Sequence, residues 1–488
     1  MIKPEKNRKS KAVFSKIEVL KKLHVIFLFG AIFLITFSGC FSPWKGDEGQ
    51  LIISLGNNTS RAAGDIYEDN GNFEHEIILD GPGGRISVKM QKGVTSASVK
   101  LIPGKWSIAV RAMGPMPEDS IYEEAGFPSV MLRALGYNDV TVESGKVSPA
   151  TVIMKPATEV FNWEQLVFAF GQANTDEYIL IANNISSGEE ATLSGYGQNV
   201  FVTMVANDDV RITRNPEYSS EAMFTVNSYG SLMLGRKGMQ SSLIIDGGGS
   251  TVSGPLFNVQ YSASLYICDG AVLTNNNNTQ PGGNNYGKGG AVYADPTASV
   301  FMSGGEIQNN KADNGGGIYM EGSPFTMTGG IIDNNKAVTA GGGLYTYGTI
   351  EMMNNSQISN NTCTDGYGGG IYMSGGSFYM QGNAVIAGNK AGNLSGTENA
   401  NLGGGIYLFP DNVDFFRING GTIYGKDATA SGLANYPSSI AGPQGSNFLE
   451  KAQYGRYIGD MDWVGTDMIP AGDYSNETFR IVNGNRIQ

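Results

Sequence analysis

The sequence predicts an all-β chain built mainly as a solenoid, and three recurring features predict it. The first is a Gly-rich corner followed by an apolar residue and a tyrosine: Gly289-Gly290-Ala291-Val292-Tyr293, Gly315-Gly316-Gly317-Ile318-Tyr319, Gly341-Gly342-Gly343-Leu344-Tyr345, Gly368-Gly369-Gly370-Ile371-Tyr372 and Gly403-Gly404-Gly405-Ile406-Tyr407. The tyrosines are 26, 26, 27 and 35 residues apart, a period that marks stacked structural repeats. The second is a short apolar run a few residues later, as in Val300-Phe301-Met302, Phe325-Thr326-Met327, Ile350-Glu351-Met352, Phe378-Tyr379-Met380 and Phe416-Arg417-Ile418. The third is Ile-x-x-Asn, at Ile307/Asn310, Ile332/Asn335, Ile358/Asn361 and Ile386/Asn389; the next coil writes Ile423-x-x-Lys426.

The elements follow in chain order. Residues 1–24 carry eight Lys/Arg against two Glu, Val25–Phe37 is apolar, and Ser38-Gly39-Cys40 follows. A basic region, a short apolar stretch and small residues before a cleavage point describe a signal peptide over residues 1–39. The closing cysteine makes it resemble a bacterial lipoprotein signal, which implies that Cys40 becomes the lipidated N-terminus. Two or more acyl chains give a stable anchor. Residues 40–50 form a polar tether. Residues 51–156 alternate apolar and polar positions between turns, with Trp106, Ile108 and Val110 on one face and a terminal hairpin from Val140-Thr141-Val142 to Thr151–Met154. This pattern predicts a β-sandwich and loosely resembles immunoglobulin-like or transthyretin-like stalk modules.

A solenoid must cap its open ends. Asn162-Trp163-Glu164-Gln165 reads as a capping box that opens a helix with Trp163, Leu166, Val167 and Phe170 on its apolar face. The coils occupy residues 157–428. Side chains alternate across a strand, so Phe325, Met327, Ile332, Ile350, Met352, Ile358, Phe378, Met380 and Ile386 point inward, while Thr326 and Glu351 point out. Three short strands per coil are expected, with Gly and Asn at corners where φ > 0 is needed. The same register runs upstream through Phe224-Thr225-Val226 and Phe257-Asn258-Val259, giving at least seven coils from Phe224 to Ile423 and a few more from near Tyr178. Residues 429–488 form a C-terminal cap or extension, ending in the alternating stretch Thr478–Val482.

Taken together, the coils resemble the right-handed parallel β-helix of the pectate-lyase-like superfold. They are similar to polymorphic outer-membrane protein repeats, which carry GGA-[ILV] and FxxN tetrapeptides. Gly289-Gly290-Ala291-Val292 matches the first, and Ile307-x-x-Asn310 and its successors match the second with Ile for Phe. The resemblance covers about residues 158–428 and implies a surface location. Proteins of that kind often end in a membrane barrel. The 60 residues after Ala428 are too few for eight strands of ~10 residues with turns.

The whole chain has a formal charge of −12; removing eight Lys/Arg and two Glu with the signal from 33 and 45 leaves 25 against 43, or −18. An acidic surface disfavours nucleic acid and anionic membranes, and polyuronates unless a cation bridges. The chain has two histidines, His24 in the signal and His75 in the sandwich. No His-dependent triad or His-rich zinc site is therefore available to the solenoid, and His75 is expected on an exposed strand or loop. No Gly-His-Gly, G-x-S-x-G or C-x-x-C segment occurs. Cys268 and Cys363 fall about three coils apart, too far for a disulfide. Lyases of the superfold use Ca²⁺ held by carboxylates, and the resemblance makes Asp460 and Asp462, beside Trp463, a weak Ca²⁺ candidate. Asp208-Asp209 reads as a turn before Val210, and the Asn ladder as a structural device. The sharper candidates are Tyr293, Tyr319, Tyr345, Tyr372 and Tyr407. With Ile318 inward, Tyr319 points out, so the five form an external row able to stack on sugar rings or a partner's apolar patch. The expected function is that of a lipid-anchored envelope protein. Its non-catalytic β-helix serves adhesion to host matrix or glycan, at the outer membrane or cell surface. The alternative is a polysaccharide lyase or hydrolase, or a carbohydrate-binding protein, on the same fold.

Overall fold

The computed structural model describes residues 48–57, 73–118, 120–196, 199–218, 221–280, 287–392, 402–409, 413–418, 420–423, 440–441, 480–482 and 485–487. The signal segment with Cys40 and the pair Asp460/Asp462 lie outside the described residues.

Period-2 alternation builds the N-terminal sheet. Its strands are β1 (Gly49–Asn57), β2 (Glu74–Gly81), β3 (Gly84–Met90), β4 (Ser96–Leu101), β5 (Gly104–Pro115), β6 (Val130–Val142) and β7 (Val147–Val160), with a short helix α1 (Ser120–Glu124) between β5 and β6. They pair in the order β4–β1–β7–β6–β5–β2–β3. Trp106, Ile108 and Val110 are buried in one core with Leu51, Ile53, Ile77, Leu79 and Val152. The Trp106 Nε1–H donates to the Ile102 carbonyl at 2.9 Å, which satisfies the indole's single donor. The β6–β7 hairpin pairs through Ala134–Pro156, Leu135–Lys155 and Gly136–Met154. Nearer the turn β7 pairs instead with β1, and side chains from β1, β2, β5 and β7 meet in one core.

His75 departs from expectation. It is 3% exposed, because it alternates with Glu74 and Glu76 on the inward side of β2, and neither ring nitrogen has a hydrogen-bond partner. Burial holds its pKa below the ordinary 6.5. The unfolded chain therefore takes up this proton first. Stability from a neutral His75 is full above about pH 6.5 and is lost as pH falls through the depressed folded value, at up to ~1.4 kcal/mol per pH unit. Glu177, raised to about 7 by burial, acts with the opposite sign: its contribution is present below its ordinary value and lost as pH rises towards 7. Denaturant melts of wild type and His75→Leu between pH 4.5 and 8 should separate the two. The difference between the curves should rise with pH and flatten above 6.5; a difference independent of pH contradicts this assignment.

β7 does not stop at the sandwich. Its last four residues, 157–160, pair in parallel with residues 178–181 of Asp176–Ile181, the first solenoid strand. The expected boundary at 156/157 thus falls inside one strand. Phe127, Met131, Leu132 and Leu135 join the solenoid core. Arg111 contacts both Glu159 oxygens at 2.7 Å, Arg85 pairs with Asp208 at 2.8 Å, and the Arg236 guanidinium lies 4.0 Å from the Tyr137 ring centre.

The cap helix α2 spans Trp163–Gln172, with Asn162 Oδ1 accepting from Gln165 N at 2.9 Å. Gln165 Oε1 reaches back one residue further than a standard box and accepts from Phe161 N at 2.9 Å. Trp163, Leu166 and Phe170 are buried; Val167, expected on the same face, is exposed.

The upstream coils carry the expected three strand positions, and from Asn277 onward a fourth is added. Column I holds the strands that follow the Gly corners, such as Ile318–Met320, and has nine strands among the described residues. Phe325–Asp333 supplies columns II and III of its coil, at 325–327 and 331–333. Column IV, Lys336–Ala340 and its equivalents, forms a separate parallel sheet. Its inward residues are Asn278, Ala312, Ala337, Cys363 and Ala391, small side chains after the first. Every residue of the expected inward set is 0–1% exposed.

The corners explain the Gly triplets. The first glycine has φ +72, +63, +67, +69 and +60 in the five coils, where a Cβ is strained. A Cβ on the middle glycine would meet the next coil's backbone, 2.2 Å from the Gly369 carbonyl for Gly342. A Cβ on the third would press on the ladder asparagine, 3.0 Å from Asn361 for Gly343.

Opposite them, Asn276, Asn310, Asn335, Asn361 and Asn389 are buried. Asn361 Oδ1 accepts from Asn335 N (2.9 Å) and Asn335 Nδ2 (3.0 Å), while its Nδ2 donates to Ile332 O (2.9 Å) and Asn389 Oδ1 (3.0 Å). The ladder starts at Asn276, whose Oδ1 has no partner because the preceding coil places Gly247 there. At the far end of column III Arg480–Val482 pairs antiparallel with Thr422–Ile423 and with Asn485–Ile487, which covers the edge of that column.

Candidate functional site

Column I positions the tyrosines. Val292, Ile318, Leu344, Ile371 and Ile406 enter the core, and the following tyrosine projects to the outer face. Register pairs Tyr293, Tyr319, Tyr345, Tyr372 and Tyr407 in succession. Successive ring centres are 6.0, 4.7, 4.8 and 5.3 Å apart, with planes within 17°.

The row is external in direction but covered, which corrects the expectation of five exposed rings. Tyr319 and Tyr407 are buried. Tyr347 packs on Tyr345 with its ring 5.4 Å away and its hydroxyl 3.1 Å from that of Tyr345. Tyr367 lies 4.5 Å from Tyr407. The Lys288 ammonium sits 5.0 Å above the Tyr319 ring and pairs with Glu321. Burial lifts the hydroxyl pKa of all five, Tyr372 to about 12. The rings remain neutral at physiological pH and stack on one another along the outer face of column I.

Solvent meets a different set of rings. Tyr196, Tyr229, Tyr261, Tyr347 and Phe409 lie where the chain leaves column I for column II, and are 39–90% exposed. Tyr196, Tyr229 and Tyr261 have φ +43, +66 and +52, the left-handed region where a bulky residue is an outlier. Such a conformation costs roughly 1–2 kcal/mol per residue, and exposure returns no burial to offset it. Ser228 and Ser262, beside Tyr229 and Tyr261, are left-handed as well (φ +50 and +62), and the other such positions among the described residues are Gly or Asn, as at Asn275, Asn309 and Asn334. The sequence carries a signal for these rings, an aromatic two residues past a column I strand at Tyr196, Tyr229 and Tyr261 and directly after it at Tyr347 and Phe409, but without φ values it is indistinguishable from ordinary loop composition.

Cys268 and Cys363 are buried free thiols. Asp208 pairs with Arg85, and Asp209 Oδ1 accepts from Ser242 N at 2.8 Å, both as turn residues. Among the described residues no three His, Cys, Asp or Glu side chains gather in a way that could hold a metal ion, and no helix is long and apolar enough to cross a membrane. Comparison with protein-family models, with characterised proteins and with solved structures finds no match.

Proposed function

We propose that this chain is a lipoprotein of the cell envelope, anchored through Cys40, whose β-helix serves non-catalytically as an interaction surface for glycan or host matrix. In this reading the helix is right-handed and of the pectate-lyase-like kind, and the sandwich is its stalk. The observation that carries the reading is the edge of exposed aromatics, with three tyrosines held in a strained backbone conformation. Strain of this kind persists where a position has a use. Tyrosine offers a large rigid contact face at low entropic cost and keeps its hydroxyl in water.

The test is a glycan array probed with the detergent-solubilised chain, with and without Ca²⁺, comparing wild type with Tyr196→Asn/Tyr229→Asn/Tyr261→Asn. Asn tolerates φ > 0 better than Tyr. The triple variant should lose at least tenfold in binding and keep or raise its unfolding midpoint. Lost stability with intact binding would assign these tyrosines a structural role and remove the support for an interaction edge.

A further inference from the structure

A second surface lies at the corner between columns III and IV, separated from the tyrosine edge by column II. A groove of about 800 Å³ opens there. Its lining runs from Arg211 through Val272, Gln308 and Asn334 to Thr362. Register steps Arg211→Ile244→Val272→Glu306→Ile331→Gln357 make this six successive coils. At ~4.8 Å per coil the groove is about 24 Å long, the shape of an extended chain rather than a compact ligand.

Its charge is unusual for this protein. Lys311 and Lys336 are direct partners in register, both exposed, and the row continues through Thr362 to Lys390. Like charges placed directly opposite on neighbouring strands destabilise a sheet. A chain of net charge −12 has acids to spare, yet those facing this corner are used elsewhere. Asp246 pairs with Arg211 and accepts from Gly248 N and Asn275 Nδ2. Glu306 accepts from Gln308 Nε2 at 2.8 Å. Asp333 accepts from Ser359 Oγ at 2.6 Å and Asn360 Nδ2 at 2.7 Å. Among the described residues the lysines have no ion pair. The rest of the lining combines the apolar Ile244 and Val272 with amides and hydroxyls such as Asn275, Asn309, Asn334, Gln308 and Thr274, groups that hydrogen-bond sugar hydroxyls.

We infer that this groove binds a linear anionic glycan, its sulfate or carboxylate groups set between Lys311 and Lys336 and its hydroxyls on the flanking amides. The overall acidic charge disfavours polyanions, and what this corner offers them is the exposed ammonium groups of Lys311 and Lys336, beside the carboxylates of Glu306 and Asp333. The assignment does not depend on the tyrosine edge.

The experiment measures binding of the detergent-solubilised full chain to immobilised chondroitin sulfate (sulfate and carboxylate), hyaluronate (carboxylate alone), dextran (uncharged) and single-stranded DNA at 50 mM salt. Wild type should bind at least one acidic glycan and not dextran, and the pair of acidic probes identifies the anion. Binding should fall as salt is raised, since exposed charges are screened. K311Q/K336Q should weaken it at least tenfold with an equal or higher unfolding midpoint, because the like-charge pair is gone. K89Q/K92Q, the same charge change on the sandwich, and the triple tyrosine variant should each stay within twofold. Failure of both acidic glycans to bind, equal binding to dextran, an unaffected K311Q/K336Q, or DNA bound more tightly than either glycan would overturn the assignment.

Discussion

Asn361→Ala should destabilise the solenoid by about 3 kcal/mol, more than any surface change. The substitution removes the Asn361 amide from three buried groups, Asn335 N–H, Asn335 Nδ2–H and the Ile332 carbonyl, while Asn389 Oδ1 keeps only its bond from Asn361 N–H. Each unsatisfied buried group costs ~1 kcal/mol or more, and at a fully buried position water has no direct access to replace the amide. The neighbour Asn360 makes the comparison. It is exposed, has φ +55 and donates to Asp333 at 2.7 Å. Asn360→Gly should therefore change stability by under ~1 kcal/mol, since Gly adopts this φ freely. Denaturant melts of both variants check this. A similar loss in the two would mean that the ladder amides are not what holds the corners together.

Phe378→Ala should cost about 3–5 kcal/mol, the range for emptying a packed aromatic site. Phe378 is 0% exposed and stands in register with Ile350 below it, so the coils on either side cannot close the gap without breaking their own register. Thr326, outward between Phe325 and Met327, is the control; Thr326→Ala should stay within ~0.5 kcal/mol. Equal shifts of the unfolding midpoint would show that the inward and outward faces are reversed.

Much of this architecture could be read from residues because the repeat states it several times. Five Gly corners and four Ile-x-x-Asn turns impose one register, and alternation then assigns Phe325, Met327 and Ile332 to the core without reference to distant contacts. Column IV escaped because its inward residues after Asn278, namely Ala312, Ala337, Cys363 and Ala391, are too small to stand out as an apolar run. His75 escaped because a single polar residue in an alternating strand carries no sign of which face it takes; Ile77 and Leu79 beyond it do, and following their parity places His75 inside. The tyrosine row was legible in register and direction. Its covering by Tyr347, Tyr367 and Lys288 was not, since these contacts join residues whose spacing is set by loop conformation. The groove was illegible for a related reason: Lys311 and Lys336 become neighbours only once the coils are stacked.

The shared strand β7 offers the solenoid a starting edge. Each coil contacts only its neighbours, so a coil laid beside an edge that is already formed gains its partners at once. The sandwich can form its β2–β3 and β5–β6 pairs from residues near in sequence, which close early because their loops are short. Residues 157–160 then project from a finished sheet as a preformed rung for residues 178–181. The N-terminal module would then serve the solenoid as a seed crystal, with coils added in the N-to-C direction of the chain.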